Sequence, residues 1–313
     1  MQRGSGIYVA GGRTMIGSAI VRRLEAEGLT PIPADEEPDY RDRAAVEAFL
    51  DRRRPEYVFV AAGETAGIAG NTARPADLMT DNLLAAANLI PAAAASGVVR
   101  LVYLASSCIY PKQAPHPLQT SSLWSGPVEP TSAAYATAKL AGVVLCGAFR
   151  RQHARPFVAA IAGDAYGPGD DFSAENAHVV GALIRRFDEA ARTAAPFVEV
   201  WGSGAPRREF IYVDDLADAC VFAMERYEGS EPINLGTGTD TSIAELAHDV
   251  AQVAGFRGEI RFDRSRPDGM PFKGLDSSIL RDLGWRPKWM LRRGLEATYR
   301  WYTRTQELRN LGT

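Results

Sequence analysis

The chain is short of the residues that build disulfide frames and metal centres. It has three cysteines, Cys108, Cys146 and Cys220, and four histidines among 313 residues. The cysteines are odd in number and widely spaced, so reduced thiols are expected and no metal site is predicted. The charge balance is also unremarkable, at a formal −3, which argues against the basic footprint of a nucleic-acid partner. No apolar run approaches the roughly 18 residues that would cross a bilayer, so no membrane partner is expected. The N-terminus, Met1-Gln-Arg-Gly-Ser-Gly6, enters a strand without an apolar signal segment. A cytoplasmic location is the expectation. Repeats and low-complexity tracts are missing as well. What remains is ordinary globular composition, 46% hydrophobic and 23% charged, in a chain long enough for about two domains.

The first motif lies at the start. Ile7–Ala10 reads as a short strand, Gly11-Gly12-Arg13-Thr14-Met15-Ile16-Gly17 as a turn, and Ser18 to about Glu27 as an amphipathic helix closed by Gly28. Strand, glycine-rich turn and helix in that order form the context of a dinucleotide site, with the helix N-terminus facing a pyrophosphate. Gly11, Arg13, Thr14, Met15, Ile16 and Gly17 are therefore candidate cofactor contacts. Thr14 replaces the middle glycine of the pattern, and its Cβ is expected to restrict the approach of backbone to phosphate. Pro31-Ile-Pro33 makes a poor second strand leading to Asp35. A carboxylate there accepts from ribose hydroxyls and repels a 2′-phosphate, which favours NAD; Arg13, Arg41 and Arg43 offset that repulsion. Read without a ligand, the same acids are a solvated loop.

Further strands and helices alternate up to Ile161, which predicts a doubly wound parallel sheet. Tyr57–Ala61 is the next strand, and Ala61 and Ala62 open a small-residue stretch able to pass close to a cofactor. Residues 76–96 form an alanine-rich helix. Leu101–Ala105 is a buried strand that ends in Ser106-Ser107-Cys108, delivering a hydroxyl and a thiol to the sheet rim. Tyr135 and Lys139, spaced i, i+4, share one face of a helix capped by Thr131 or Ser132. An ammonium beside a phenol favours the phenolate, so Lys139 is expected to lower the pKa of Tyr135. Ser106 is placed to hold the oxygen that the phenol protonates. This is equipment for hydride chemistry at a carbinol or carbonyl carbon. After Gly163 the alternation breaks: a helix follows His178, a strand and turn span 198–204, a helix ends near Tyr227, and Pro232–Gly236 returns to the sheet. Thr241–Glu245 opens a capped helix, and residues 257–290 hold short pieces.

With these motifs in order, the chain resembles the extended short-chain dehydrogenase/reductases, and within them the GDP-L-fucose synthases. The resemblance covers nearly the whole chain. It is carried by Ser106-Ser-Cys-Ile-Tyr-Pro-Lys112, Glu129-Pro-Thr131 with Tyr135-x-x-x-Lys139, Tyr166-Gly-Pro168, Asn176-x-His178-Val179 and Arg185-Arg186-Phe187. Trp201-Gly-Ser-Gly204, Arg208-Glu-Phe210, Val213-Asp-Asp215 and Pro267-Asp-Gly269 complete it. The resemblance implies a Rossmann-type α/β fold with a smaller, interleaved C-terminal substrate domain. Residues 1–165 plus about 205–250 would bind NAD(H) or NADP(H), and about 166–204 with 251–313 the substrate.

The resemblance also implies an NAD(P)-dependent epimerase/reductase of a nucleotide-linked, GDP-linked 4-keto-6-deoxyhexose. Cys108 and His178 would move protons at C3 and C5; Ser106, Tyr135 and Lys139 would serve the 4-ketone. Lys139 and His178 would also touch the cofactor. Ser107, Arg186, Trp201, Arg208 and Lys273 would contact the substrate. A homodimer would form through the 76–96 helix and the Tyr135 helix. Departures from the pattern are Thr14, Asp35, Glu64, Asp164 in place of an Asn, and Phe272 in place of an Arg. Two other readings stay open. One is an epimerase or dehydratase that recycles tightly held NAD. The other is a non-catalytic nucleotide-binding protein, which would have no need of all five candidate catalytic residues.

Overall fold

Residues Ile7–Ala10 (β1) are all buried, as expected of a parallel strand covered on both faces. The computed structural model describes residues 1–266 and 268–311. Pro267, part of the Pro-Asp-Gly resemblance, lies outside the described residues, as do residues 312 and 313. From β1 the chain continues through α1 (Met15–Glu25), α2 (Arg43–Arg53), β2 (Tyr57–Val60), α3 (Ile68–Ala73), α4 (Pro75–Ala95) and β3 (Arg100–Ser106). Then come α5 (Ala133–His153), β4 (Phe157–Ala162), β5 (Asp164–Tyr166), α6 (Val179–Arg192), β6 (Phe197–Trp201), β7 (Arg207–Arg208), β8 (Phe210–Tyr212) and α7 (Val213–Arg226). The last are β9 (Ile233–Leu235), β10 (Thr241–Ser242), α8 (Ile243–Ala254), β11 (Glu259–Asp263), β12 (Phe272–Lys273), α9 (Ser278–Asp282) and α10 (Leu291–Leu311).

The main sheet is parallel throughout, in the order β1-β2-β3-β4-β9. The expected second strand is reduced to one bridge, Pro31 to Ile7, because prolines at 31 and 33 cannot donate to a ladder. Residues 34–36 form a 3₁₀ turn instead. That single bridge still matters. It lies on one side of β1 and β2 on the other, so the strand order reverses at β1, where an α/β sheet opens its binding crevice beyond the carboxyl ends of its strands.

Helices cover both faces. One core packs Val46, Phe49, Leu89, Ala93, Val143 and Cys146 of α2, α4 and α5 onto the sheet. The other packs Ile20, Leu24, Leu216 and Met224 of α1 and α7 against the opposite face. Gly142 lets α5 approach β3 closely: a Cβ there would lie 2.3 Å from the Tyr103 ring. Helix α5 is also the one stretch among the described residues long and apolar enough to cross a membrane, and it corrects the expectation of no such run. It packs on the sheet and buries Tyr135, Ala136, Ala138 and Lys139. Ser132 stands at its N-cap but its side chain makes no capping bond; a 3₁₀ turn at Pro130–Ser132 winds into the helix instead. By contrast α8 opens with the predicted capping box, Ser242 with Glu245.

A third core joins α6, α8 and α10 through Ile184, Phe187, Leu246, Val250, Leu295 and Tyr302. Helix α8 thus packs away from the main sheet although it begins before residue 250. Two acidic residues tie this layer to the sheet unit. Asp215 accepts from the backbone N–H groups of Lys288 and Trp289 at 2.9–3.0 Å. Glu209, buried, accepts from Gly238 N at 2.7 Å and Leu275 N at 2.5 Å, which fixes the segment that carries Lys273.

Candidate active site

The glycine-rich turn is dictated by space. Gly11 has φ +80°, and a Cβ there would meet the Ala61–Ala62 backbone at 2.8 Å. A Cβ on Gly17 would lie 2.0 Å from the Gly11 carbonyl oxygen. Thr14 needs no such freedom, with φ −69° and ψ 164°. Its hydroxyl donates to Gly11 O at 2.8 Å and accepts from Gly17 N at 3.0 Å, so it caps α1. Thr14 thus organises the turn. Met15 lies beside Gly169, Ile16 follows it on α1, and Arg13 stands exposed.

The acid that meets this turn is not Asp35, which sits exposed on the 34–36 turn. It is Glu37, whose Oε1 accepts from Gly12 N at 2.7 Å. Burial pushes the Glu37 carboxyl up, against the backbone bonds that favour its charge. Beside it, Gly11 N donates to the Tyr40 hydroxyl at 2.8 Å, and Tyr40 meets Tyr8 at 3.0 Å. A cavity of about 280 Å³ opens between Tyr40, Arg41, Gly63, Glu64 and Asp81. Arg41 and Asp81 pair across it at 2.8 Å. Asn82 Oδ1 is buried without a partner, and a Cβ on Gly63 would fall 2.2 Å from it and 3.4 Å from Lys139 Nζ. A close-packed phosphate turn, a cavity beside it and an orphaned acceptor next to a lysine fit a dinucleotide. Ala61 and Ala62 pass against Gly11, and Lys139 Nζ donates to the Ala62 and Leu104 carbonyls at 3.4 and 3.3 Å.

Seven elements or loops converge at the carboxyl ends of β3 and β4. Ser106 ends β3, and its Oγ accepts from Cys108 N at 3.3 Å. Lys273, on β12, donates from Nζ to Asp164 Oδ1 at 2.8 Å and reaches Cys108 Sγ at 3.5 Å. Arg208 lies 3.9 Å from the other oxygen of Asp164, and Ser107 Oγ reaches Oδ1 at 3.5 Å. His178 Nε2 meets Thr65 Oγ1 at 3.1 Å. Thr65, Ser106 and Cys108 surround the buried Tyr135 phenol.

Charge states follow from this packing. Burial pushes Asp164 up, but Lys273 and Arg208 outweigh it and hold the carboxyl below its usual range. Burial lowers the His178 ring below 6.5, with Asp164 acting against it, so the ring is neutral near pH 7. Burial pushes the Tyr135 phenol well up, aided by Cys108 and opposed by its two hydroxyl neighbours. Burial also lowers Lys139, to about 8. The expectation that Lys139 would draw Tyr135 towards phenolate is thus corrected. The ammonium is turned to two backbone carbonyls, and burial of the phenol decides its state. Tyr135 is a protonated donor.

Ser106, Ser107, Cys108, Tyr135, His178, Arg208 and Lys273 are therefore brought together, with Lys139 beneath. Arg186 and Trp201 share no recorded contact with this cluster: Arg186 donates to the Glu199 carbonyl, and Arg266 stacks 4.9 Å from the Trp201 ring. Phe272 packs on His116 at 4.4 Å, and Glu64 pairs with Arg74 at 3.6 Å. Reading the sequence missed Thr65, Glu37, Tyr40 and the open acceptor of Asn82, and left Asp164 as a mere departure. Only the polar Asp164 beside Tyr166-Gly-Pro168 carried a signal that could have found it.

A model of the NAD dependent epimerase/dehydratase family matches residues 7–236, and the chain belongs to that family. Within it the chain is similar to GDP-L-fucose synthase 1 of Arabidopsis thaliana, 47% identical over 298 residues, covering 95% of this chain and 92% of the relative. It is also 42% identical over 312 residues to GDP-L-fucose synthase of Escherichia coli, covering 96% and 97%. Among solved structures it resembles a GDP-6-OMe-4-keto-L-xylo-heptose reductase from C. jejuni, with a TM-score of 0.90 and 31% identity over 97% of this chain and 99% of that one.

Proposed function

We propose that this chain is an NAD(P)-dependent epimerase/reductase of a GDP-linked 4-keto-6-deoxyhexose. The observation that carries the reading is the convergence of a neutral imidazole, a thiol beside an ammonium and a protonated phenol on one crevice. A ketone at C4 acidifies the C–H bonds at C3 and C5. His178, neutral, and Cys108, its Sγ 3.5 Å from Lys273 Nζ, are the acid/base pair that removes and returns those protons. Ser106 and Tyr135 hold the ketone oxygen, and the protonated phenol gives its proton to the developing alkoxide. A bound nicotinamide supplies the hydride. Gly11, Arg13, Thr14, Met15, Ile16, Gly17, Ala61, Ala62 and Lys139 hold that cofactor, with His178 at its reactive end. Asp35, exposed on the 34–36 turn, inclines the preference to NAD(H).

Ser107, Arg208 and Lys273 face the sugar and diphosphate, while Arg186 and Trp201 receive the nucleotide end, where guanidinium and indole suit phosphate and base. The cofactor half comprises 1–165 plus about 205–250 and the substrate half about 166–204 with 251–313, α8 counting with the latter by its packing. A homodimer through α4 and α5 completes the reading, supported by exposed Leu83 and Val144 on those helices. So does a cytoplasmic location, consistent with free Cys108, Cys146 and Cys220. The recycling-NAD alternative draws no support from relatives at 42–47% identity that are named GDP-L-fucose synthases. The test is to mix the purified protein with GDP-4-keto-6-deoxy-D-mannose and NADPH or NADH and follow absorbance. Stoichiometric oxidation of reduced cofactor is expected. Release of tightly bound NAD with no oxidation of added cofactor would contradict the reading.

A further inference from the structure

Asp164 sits where two largely buried cations meet. Arg208 and Lys273 lie opposite each other in the parallel pair of β7 and β12, so their side chains leave the same face of the sheet. Lys273 keeps 10% exposure and Arg208 12%. Asp164 opens β5, and its N–H donates to the carbonyl of Glu209, the residue after Arg208, at 2.9 Å. Its Oδ1 accepts from Lys273 Nζ at 2.8 Å and from Ser107 Oγ at 3.5 Å, and its Oδ2 lies 3.9 Å from Arg208 Nε. The same Nζ donates to Cys108 Sγ at 3.5 Å. An ammonium withdrawn from water needs acceptors, and among the described residues this one has two, a carboxylate and a sulfur. The base of Lys273 is fixed by Glu209, whose N–H donates to the Lys273 carbonyl at 3.3 Å. Its tip ends a flexible four-carbon stem, and Asp164 is what ties it down.

We infer that Asp164 is a positioning residue for the carbon-acid step, clamping Lys273 so that its Nζ faces Cys108 Sγ and thereby directs the thiol. The catalytic consequence rests on the proposed epimerase/reductase reading; the clamp itself does not. An N–H donor set on a sulfur lone pair leaves the S–H bond turned away from Lys273. When Cys108 returns a proton to the enolate carbon, the S–H bond breaks and its electron pair stays on sulfur. The C–H bond forms from the electron pair of the enolate. Asp164 exchanges no proton in this step. Burial opposes its charge, but Lys273 and Arg208 outweigh burial, so the carboxylate is ionised near pH 7. An asparagine here would still offer an oxygen to Nζ; an alanine would offer nothing.

The test compares the unaltered protein with Asp164→Ala, Asp164→Asn, Lys273→Met and the double variant Asp164→Ala/Lys273→Met, after thermal melts establish which are folded. Two rates are read. The first is deuterium uptake from D₂O at C3 and C5 of GDP-4-keto-6-deoxy-D-mannose with oxidised cofactor, which isolates the carbon-acid step from hydride transfer. The second is alkylation of Cys108 by iodoacetamide, read by peptide mass spectrometry, which needs no substrate; Cys146 and Cys220 are buried. Asp164→Ala and Lys273→Met are each expected to slow deuterium uptake by about tenfold or more. The double variant is expected to stay within about twofold of Lys273→Met, because Asp164 acts through that lysine. Asp164→Asn is expected to recover most of what alanine loses. Alkylation of Cys108 is expected to change by one common factor in Asp164→Ala and Lys273→Met. Losses that multiply in the double variant would overturn the clamp, since a merely structural aspartate would give that result. Equal alkylation of Cys108 in Lys273→Met and the unaltered protein would overturn it as well, even where Asp164→Ala does not fold. Failure of the unaltered protein to take up deuterium would instead overturn the reading of function, and alkylation would still decide the clamp.

Discussion

The two halves of the crevice are built in opposite ways. The glycine-rich turn is local: Gly11, Thr14 and Gly17 satisfy one another within seven residues, and Glu37 and Tyr40 reach in from outside. The candidate catalytic cluster is assembled from afar, with Thr65, Cys108, Tyr135, Asp164, His178 and Lys273 on six separate segments. The turn draws its geometry from backbone sterics. The cluster draws its geometry from the packing of β3, α5, β5 and β12, and its charge states from what that packing buries. A change in the first should act on cofactor binding and stability; a change in the second should act on chemistry.

Tyr135→Phe gives the largest effect on chemistry. Hydride transfer should fall by about 10³-fold, the loss expected for a general acid, while fluorescence titration of reduced cofactor shows near-normal binding. Loss of binding alongside rate would blur the division between the two regions. Gly17→Ala attacks the other side. Its Cβ cannot fit 2.0 Å from the Gly11 oxygen, so the turn must open. Cofactor affinity should collapse and stability should fall by about 3 kcal/mol, read from cofactor titration and a denaturant melt.

Asp164→Ala sharpens the comparison through pH. The Asp164 carboxyl is held below its usual range by Lys273 and Arg208 once burial has been outweighed. Its contribution to stability is therefore present above the unfolded pKa, about 3.9, and lost as pH falls through the lower folded value. The variant should lose about 2 kcal/mol at pH 7, between the values for surface and buried pairs, because the Asp164 side chain keeps 28% exposure. In melts taken towards pH 3 the gap should narrow. A gap that does not change with pH would remove the charge argument. Thr14→Ala is the smallest change: loss of the cap should cost about 1 kcal/mol in a melt and leave kcat unaltered.

The contrast also explains what could be read in advance. The strand-turn-helix at the start, the burial of β3 and β4, the start of α6 after His178 and the capping box of α8 are local patterns, and each formed. Helix α10 was not anticipated, since its charged face dominates and its buried stripe rests on Leu295, Thr298 and Tyr302 among the described side chains. Cys108 and His178 could be paired through resemblance, not through spacing. Thr65 left no trace, because an exposed threonine in a small-residue loop has meaning only once the 176–178 segment lies against it. The pull of Lys139 on the Tyr135 phenol was overestimated for the same reason. The i, i+4 spacing puts Lys139 on its helix face, but the burial that dominates both groups comes from the sheet.

The most direct test is the reaction run in D₂O with GDP-4-keto-6-deoxy-D-mannose and reduced cofactor, with NMR of the product sugar and a count of cofactor oxidised. The account predicts deuterium at both C3 and C5 and one equivalent of cofactor consumed for each sugar. A reduced sugar without deuterium at those carbons, or deuterium uptake with no cofactor consumed, would contradict the claim that one crevice performs both steps.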